Sequence, residues 1–356
     1  MLKIGILSMQ EVINYGSFLQ AYALKQLLET NIDVSYISVF SNLNDNEKRS
    51  KFFWLLSKMP KSIADIYQKV CRIRLKSKII PAQKENFKYE NGSYDIVIVG
   101  SDEVFNFSQE ASWSNDVFLG DGLEYKSICA FSASSGNTGA DDLSDSEKER
   151  IKKALNNFSF ISVRDKNTKD LLQNLGVKEP VITLDPVLLY DFNAEKSKYH
   201  WYNGIGKYMI IYSYNFRFKN YNEIREIRQY AQKHRLKVIA VEGCQTWTDK
   251  YVAVNPFEIF DLFRQAECVI TDTFHGTIIA SKMNCKFAIF TRESNKQKLG
   301  DLIGRLDLES HVYKVGNLEA ILETSTNFDA NHAVEEGKII AQQVIANIME
   351  SSKNDI

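Results

Sequence analysis

A histidine in a chain that has only five stands between Phe274 and Gly276, where "ECVITDTFHGTIIASK" turns from a buried strand into a small-residue helix. An imidazole there titrates near neutrality and lies over free helix amides, which suits a general acid or a donor to a bound phosphate. Gly276 permits close approach of a ligand, and Thr277 adds a hydroxyl to the same turn. The plain structural alternative is a histidine satisfied by its own neighbours.

Three further turns carry residue types of the same kind. "ISVRDKNTKDLLQNLGV" puts Arg164 at the tip of an apolar strand, where a guanidinium is the usual device for gripping a carboxylate or phosphate. Asp165 would cap the helix that begins at 166, so this pair reads equally well as structural. "VGSDEVFN" places Ser101, Asp102 and Asn106 beyond another apolar strand; Asp102 either caps the next segment or meets sugar hydroxyls and takes a proton from one. In "INYGSFLQAYAL", Asn14, Tyr15, Gly16 and Gln20 lead into a helix that Ser17 is placed to cap, again either a βα turn or an anion cradle. The turn lacks GxGxxG, so a dinucleotide fingerprint is absent.

The elements that must position these turns are legible in the pattern. Continuous β-branched runs ("LKIGIL", "YDIVIVG", "SFISVRD", "YMIIYSY", "LKVIAVE", "FAIF", "HVYKV") alternate with amphipathic stretches, which predicts parallel sheets covered on both faces. Two doubly wound, Rossmann-like α/β domains are expected, 1–189 and 207–330, facing across a cleft and joined by an aperiodic linker, 190–206. A basic helical insertion spans about 48–88, and a final helix and tail occupy 331–356. Ligands of open α/β sheets bind beyond the carboxyl ends of the strands, so all four turns would converge on one cleft.

Composition excludes several classes. A net charge of −1 argues against a general nucleic-acid binder. No run of 18 apolar residues occurs and the chain enters a strand at once, so a cytoplasmic protein is expected. The five cysteines show no CxxC spacing, which suits reduced core thiols and gives no metal site. In the insertion, Ile63, Ile66, Tyr67, Val70 and Ile73 share one helical face with Lys69, Arg72 and Lys76 elsewhere, following "FFWLL". Residues 51–78 therefore read either as a helix covering the first domain or as an interfacial segment on an anionic membrane.

In order and separation, "NYGSFLQAYAL", "GSDEVFN", "FSASSG", "ISVRDKNTKDLLQNLGV", "LDPVLL" and "VITDTFHGTIIAS" resemble the polysaccharide pyruvyl transferase family over roughly residues 1–310. The resemblance implies a glycosyltransferase-B-like pair of domains. It also implies transfer of a pyruvyl group from phosphoenolpyruvate, as co-substrate and without another cofactor, to sugar hydroxyls as a ketal. The setting would be synthesis of a cell-surface polysaccharide, exopolysaccharide or capsule, on a lipid-linked saccharide at the inner face of the plasma membrane. It assigns His275 and Arg164 to the phosphoenolpyruvate site, with Asp102 or Asp272 as base. Some members carry an arginine two residues before the histidine; here Thr273 stands there, which leaves Lys298 or Arg292 to supply the charge. A nucleotide-sugar glycosyltransferase of the same fold and a non-catalytic sugar binder are the competing readings.

Overall fold

A computed structural model describes residues 2–28, 32–39, 62–108, 116–177, 180–202, 204–323 and 331–351. The "FFWLL" stretch, and with it 51–61 of the proposed membrane segment, lies outside them.

The first sheet contains β1 (Lys3–Leu7), β2 (Asp33–Tyr36), β3 (Ser93–Val99), β4 (Glu124–Ala133), β5 (Phe160–Val163) and β6 (Val181–Ile182), all parallel in the order β2-β1-β3-β4-β5-β6. Its helices are α1 (Tyr15–Leu28), α2 (Ile63–Asn86), α3 (Asp145–Leu155), α4 (Lys166–Asn174) and the single turn α5 (Pro186–Leu189). After α6 (Asn193–Lys198) the second sheet begins. It comprises β7 (Tyr208–Ser213), β8 (Lys237–Glu242), β9 (Lys250–Tyr251), β10 (Cys268–Thr271) and β11 (Phe287–Ile289), parallel in the order β11-β10-β7-β8-β9. Around it lie α7 (Tyr221–Lys233), α8 (Glu258–Arg264), α9 (Phe274–Lys282), α10 (Lys296–Arg305) and α11 (Leu318–Glu323). The last helix, α12 (Asn331–Ser351), returns to β4, β5 and α5 of the first sheet.

The strand runs are apolar on both faces because helices cover both. Ile4, Ile6, Ile96, Val97, Ile98, Val99, Ile210, Ile211, Val238 and Ile239 are all fully buried. One apolar cluster joins the two halves, since Phe18 of α1 meets Phe257 edge-on at 5.4 Å and Phe192 packs on Phe260 at 4.7 Å. The halves are therefore held by a shared core as well as by their connection.

Several elements differ from the sequence reading. The stretch read as an aperiodic linker contains α6, and Glu195 within it accepts from the Tyr22 hydroxyl at 2.6 Å. "VITLDPVLL" gives only the two-residue β6, because Asp185 caps the turn that Pro186 starts. "HVYKV" makes no strand beyond one isolated bridge, Ile289 to Val312. Helix α1 begins at Tyr15 with Asn14 as its cap, Oδ1 accepting from Ser17 N at 2.6 Å; Ser17 is not the cap. In α2, Tyr67 turns inward onto Cys244 and Tyr251, while Ile63, Ile66, Val70 and Ile73 remain exposed.

Candidate active site

The site is built where the carboxyl ends of both sheets meet. Arg164, the residue after β5, is 2% exposed. Its Nη1 donates to Asp185 Oδ2 at 3.0 Å, stands 3.5 Å from Asp102 Oδ1, and its guanidinium lies 4.1 Å over the Phe274 ring. Burial opposes its charge, but Asp185, Asp102, Asp165 and Glu103 together raise its pKa. His275 comes from the other half, in the first turn of α9, whose cap is Thr273 (Oγ1 accepting from Gly276 N at 3.0 Å). Its Nε2 lies 3.6 Å from the same Asp185 oxygen. A guanidinium from the first sheet and an imidazole from the second thus share one carboxylate.

That carboxylate is almost completely buried. Burial alone would raise its pKa, but His275 and Arg164 outweigh it and hold it at about 2, so Asp185 is ionised. Two nitrogens of this cluster, Arg164 Nε and His275 Nε2, have no hydrogen-bond partner among the described residues. Orphaned buried donors are rare in folded proteins and mark a place where a ligand or water completes the set.

The surroundings fix the imidazole. Gly16 of α1 lies against it so closely that a Cβ there would sit 2.2 Å from His275 Nδ1. Asp102 accepts from Ser17 Oγ at 2.9 Å and keeps a 16% exposed side chain. Ser101 donates to Ser132 O at 2.9 Å and approaches Asp185 at 3.4 Å.

Beside the cluster opens a cleft of about 950 Å³ between the halves. Glu103, Asn106, Asn137 and Thr138 line it from the first half; Tyr214, Asn215, Arg217, Ser294 and Lys298 line it from the second. Lys298 pairs with Glu103, whose carboxyl is held at about 2 because Lys298 and Arg164 overcome its burial. Arg217 lies over the Tyr214 ring at 5.4 Å and reaches Ser294.

Of the residues singled out in the sequence, His275, Arg164, Asp102 and Ser101 come together, and Asn106 and Lys298 line the adjoining cleft. The others are placed differently. Tyr15 is fully buried, its hydroxyl bonded to both Val254 O (3.1 Å) and Val254 N (2.9 Å). Gln20 is fully buried too and donates to Ser8 Oγ at 2.8 Å. The space beside Gly276 is taken by Thr271, Thr273 and Tyr212, and the Thr277 hydroxyl donates to Thr273 O at 2.9 Å. Asp272 is fully buried, 3.4 Å from Arg292 Nε and 3.8 Å from Arg217 Nε, and its pKa is raised by burial. Arg292 is spent on a two-pronged pair with Glu223 at 2.7 and 2.8 Å. Sequence reasoning misses Asp185 and Glu103, although Asp185 sits in the quoted "LDPVLL" and Glu103 is the next residue after Asp102. Their signal is an acid at the end of an apolar run.

A family model, polysaccharide pyruvyl transferase, matches residues 14–294 and so contains every residue of the cluster. The chain belongs to this family. Family membership makes it a transferase of polysaccharide biosynthesis. A comparison with curated proteins gives no match. Among solved structures, the chain is similar to UDP-GlcNAc 2-epimerase from Rickettsia bellii (TM-score 0.53, 12% identity, covering 99% of this chain and 97% of that one). It is also similar to UDP-GlcNAc 2-epimerase from Methanocaldococcus jannaschii (TM-score 0.51, 14% identity, covering 96% and 99%). At such identity the likeness concerns the fold: two Rossmann-like domains in the glycosyltransferase-B-like arrangement. No helix among the described residues is long and apolar enough to cross a membrane.

Proposed function

We propose that this pyruvyl transferase takes its pyruvyl group from phosphoenolpyruvate and delivers it to two hydroxyls of a saccharide as a cyclic ketal, with release of inorganic phosphate. The observation that carries the reading is a guanidinium and an imidazole from opposite halves, Arg164 and His275, gathered by one ionised carboxylate beside a cleft that holds two more cations, with Arg164 Nε left without a partner among the described residues. A small dianion with a carboxylate and a phosphate matches that set.

In the proposed reaction the donor's methylene carbon takes a proton, and the carbon bearing the phosphate becomes oxocarbenium-like. A sugar hydroxyl adds there and gives up its proton. A neighbouring hydroxyl then displaces the phosphate and closes the ketal. His275 is the acid or the phosphate donor group, and Asp185, 3.6 Å from its Nε2, keeps the ring oriented. Arg164 grips the anion. Asp102 is the base, since it is the more accessible of the two candidates and already accepts a hydrogen bond from the Ser17 hydroxyl. Asp272 instead steadies Arg217 and Arg292. The charge that Thr273 leaves open falls to Lys298 and Arg217 in the cleft.

The test is phosphate release from phosphoenolpyruvate with candidate saccharides. Turnover dependent on both, lost in His275→Ala with the fold intact, supports the reading. Turnover only with a sugar nucleotide, or none with any pair, would replace it by one of the competing functions. The reading extends to a lipid-linked acceptor: α2 exposes Ile63 (86%), Ile66 (54%) and Ile73 (66%) beside Lys69 and Arg72. Cosedimentation with anionic vesicles, weakened by Ile66→Glu with Ile73→Glu, supports that extension, and unchanged binding removes it.

A further inference from the structure

A second hollow of about 410 Å³ lies apart from the cleft and shares no lining residue with it. Three parts of the chain meet there: the middle of α2 with Arg74 and Lys78, the crossing between the halves with Trp201 and Tyr202, and the edge strand β9 with Lys250 and the following Val252. Its size falls within the roughly 300–1,000 Å³ of small-ligand sites. None of its lining residues is a carboxylate, and Arg74, Lys78 and Lys250 form no ion pair among the described residues. Tyr202 is 89% exposed, which packing does not explain. Three unpaired cations beside two aromatic rings form a surface that wants anions spaced along something flat and partly apolar.

We propose that this groove binds an acidic saccharide, with the C–H face of a sugar ring on Trp201 and Tyr202 and its carboxylates or phosphates on Arg74, Lys78 and Lys250. The proposal rests on the transferase reading, because it makes the groove a second hold on the acceptor polymer, remote from the reacting hydroxyls. A small sugar phosphate would use one cation; an acidic oligosaccharide uses all three. Single-stranded nucleic acid also stacks on aromatics beside cations, but the net charge of −1 for the chain as a whole disfavours it against a saccharide.

The test uses the full chain without phosphoenolpyruvate, so that groove and reaction are read separately. A fluorescently labelled tetrasaccharide containing three hexuronic acids is the probe, followed by fluorescence anisotropy. Losing an aromatic platform or a charged partner is worth about tenfold in affinity. Tyr202→Ala is expected to weaken binding by that factor, and the Arg74→Ala, Lys250→Ala pair, which removes two charged partners, by about a hundredfold, with unchanged turnover of a monosaccharide acceptor. A neutral chito-tetrasaccharide is expected to bind weakly in all of them. Undiminished probe binding in both variants would overturn the groove assignment. A thymidine oligonucleotide of equal charge that binds as tightly, with the same losses, would overturn the saccharide. Probe binding that survives while phosphoenolpyruvate turnover is absent would remove the proposed reaction and leave the groove.

Discussion

Two carboxylates lie buried in the seam between the halves, and they are held in opposite states. Asp185 has a guanidinium and an imidazole around it, and its pKa stands at about 2. Glu242, at the end of β8, has as side-chain partners among the described residues the Tyr15 amide at 3.0 Å and the Tyr212 hydroxyl at 3.4 Å, and burial pushes it up to about 7. Both are buried, and Asp185 too has one amide (Val187, 3.0 Å) and one hydroxyl (Ser101, 3.4 Å), so the two cations beside it make the main difference: such dipoles do not replace the solvation that a buried charge loses. Asp185 uses its charge to hold Arg164 and His275, whereas Glu242 ties α1 to the second sheet and stays largely neutral to near neutrality.

The largest effect is expected where the cation-held pair is broken. Asp185→Ala takes from the buried Arg164 its hydrogen-bonded carboxylate and leaves Asp102 at 3.5 Å as its remaining ion pair, with Asp165 and Glu103 acting from further off, and breaking a buried pair costs about 3–5 kcal/mol. Denaturant unfolding at pH 7 should show that loss, and Arg164→Met added to it should restore most of the stability but none of the activity. A single variant within about 1 kcal/mol of the parent would mean that the pair carries no such tension.

Glu242→Gln tests the other member. The folded pKa is raised, so the contribution of this carboxyl is fully present below its unfolded value of 4.5 and is lost as the pH rises through about 7. The variant should match the parent at pH 4 and exceed it by about 3 kcal/mol above pH 8, since one pKa unit corresponds to about 1.4 kcal/mol. Equal stability of the two proteins across that range would show that Glu242 meets water in solution. Asp185 runs the opposite way: its stabilising share is intact above pH 4 and disappears only as the pH falls through about 2.

Gly16→Ala probes the imidazole without touching it. A Cβ would fall 2.2 Å from His275 Nδ1, so the ring must move, and Asp185 loses its companion from α9. Misplacing a general acid costs about a hundredfold in kcat. The measurement is steady-state turnover beside a thermal melt. An active Gly16→Ala would show that the position of the ring is unimportant.

How much of this is legible in sequence depends on distance along the chain. Arg164, Asp102 and His275 can be found because a polar residue at the end of a continuous apolar run contradicts its surroundings, and the parallel-sheet rule puts all such ends on one side. Glu242 obeys the same rule in "LKVIAVE". Asp185 is harder: β6 is two residues long, so its run looks like an ordinary strand through Leu189, and only the fold reveals a cap at that point. What sequence does not carry is the partner across the seam. Gly16 under His275 and Lys298 on Glu103 join residues far apart in the chain, and no local pattern encodes either pairing.

The smallest expected effect comes from a third carboxylate that extends the comparison into the cleft. Glu103 is held at about 2 by Lys298 first and Arg164 second, with Asn106 donating at 2.8 Å. Lys298→Met moves it toward the condition of Glu242: the carboxyl keeps its burial and its amide but loses its closest cation, so its pKa must climb. The fraction that stays ionised now faces an incoming dianion unshielded, which should raise KM for phosphoenolpyruvate at pH 7 about tenfold, the scale of one charge-assisted contact. Lowering the pH to 5 neutralises part of that charge in the variant but not in the parent, so the ratio of the two KM values should shrink as the pH falls. Glu103→Gln combined with Lys298→Met should flatten that trend while leaving a higher KM. A ratio constant with pH would mean that Glu103 keeps its low pKa without Lys298, and that Arg164, from its place beside Asp185, commands both carboxylates at once.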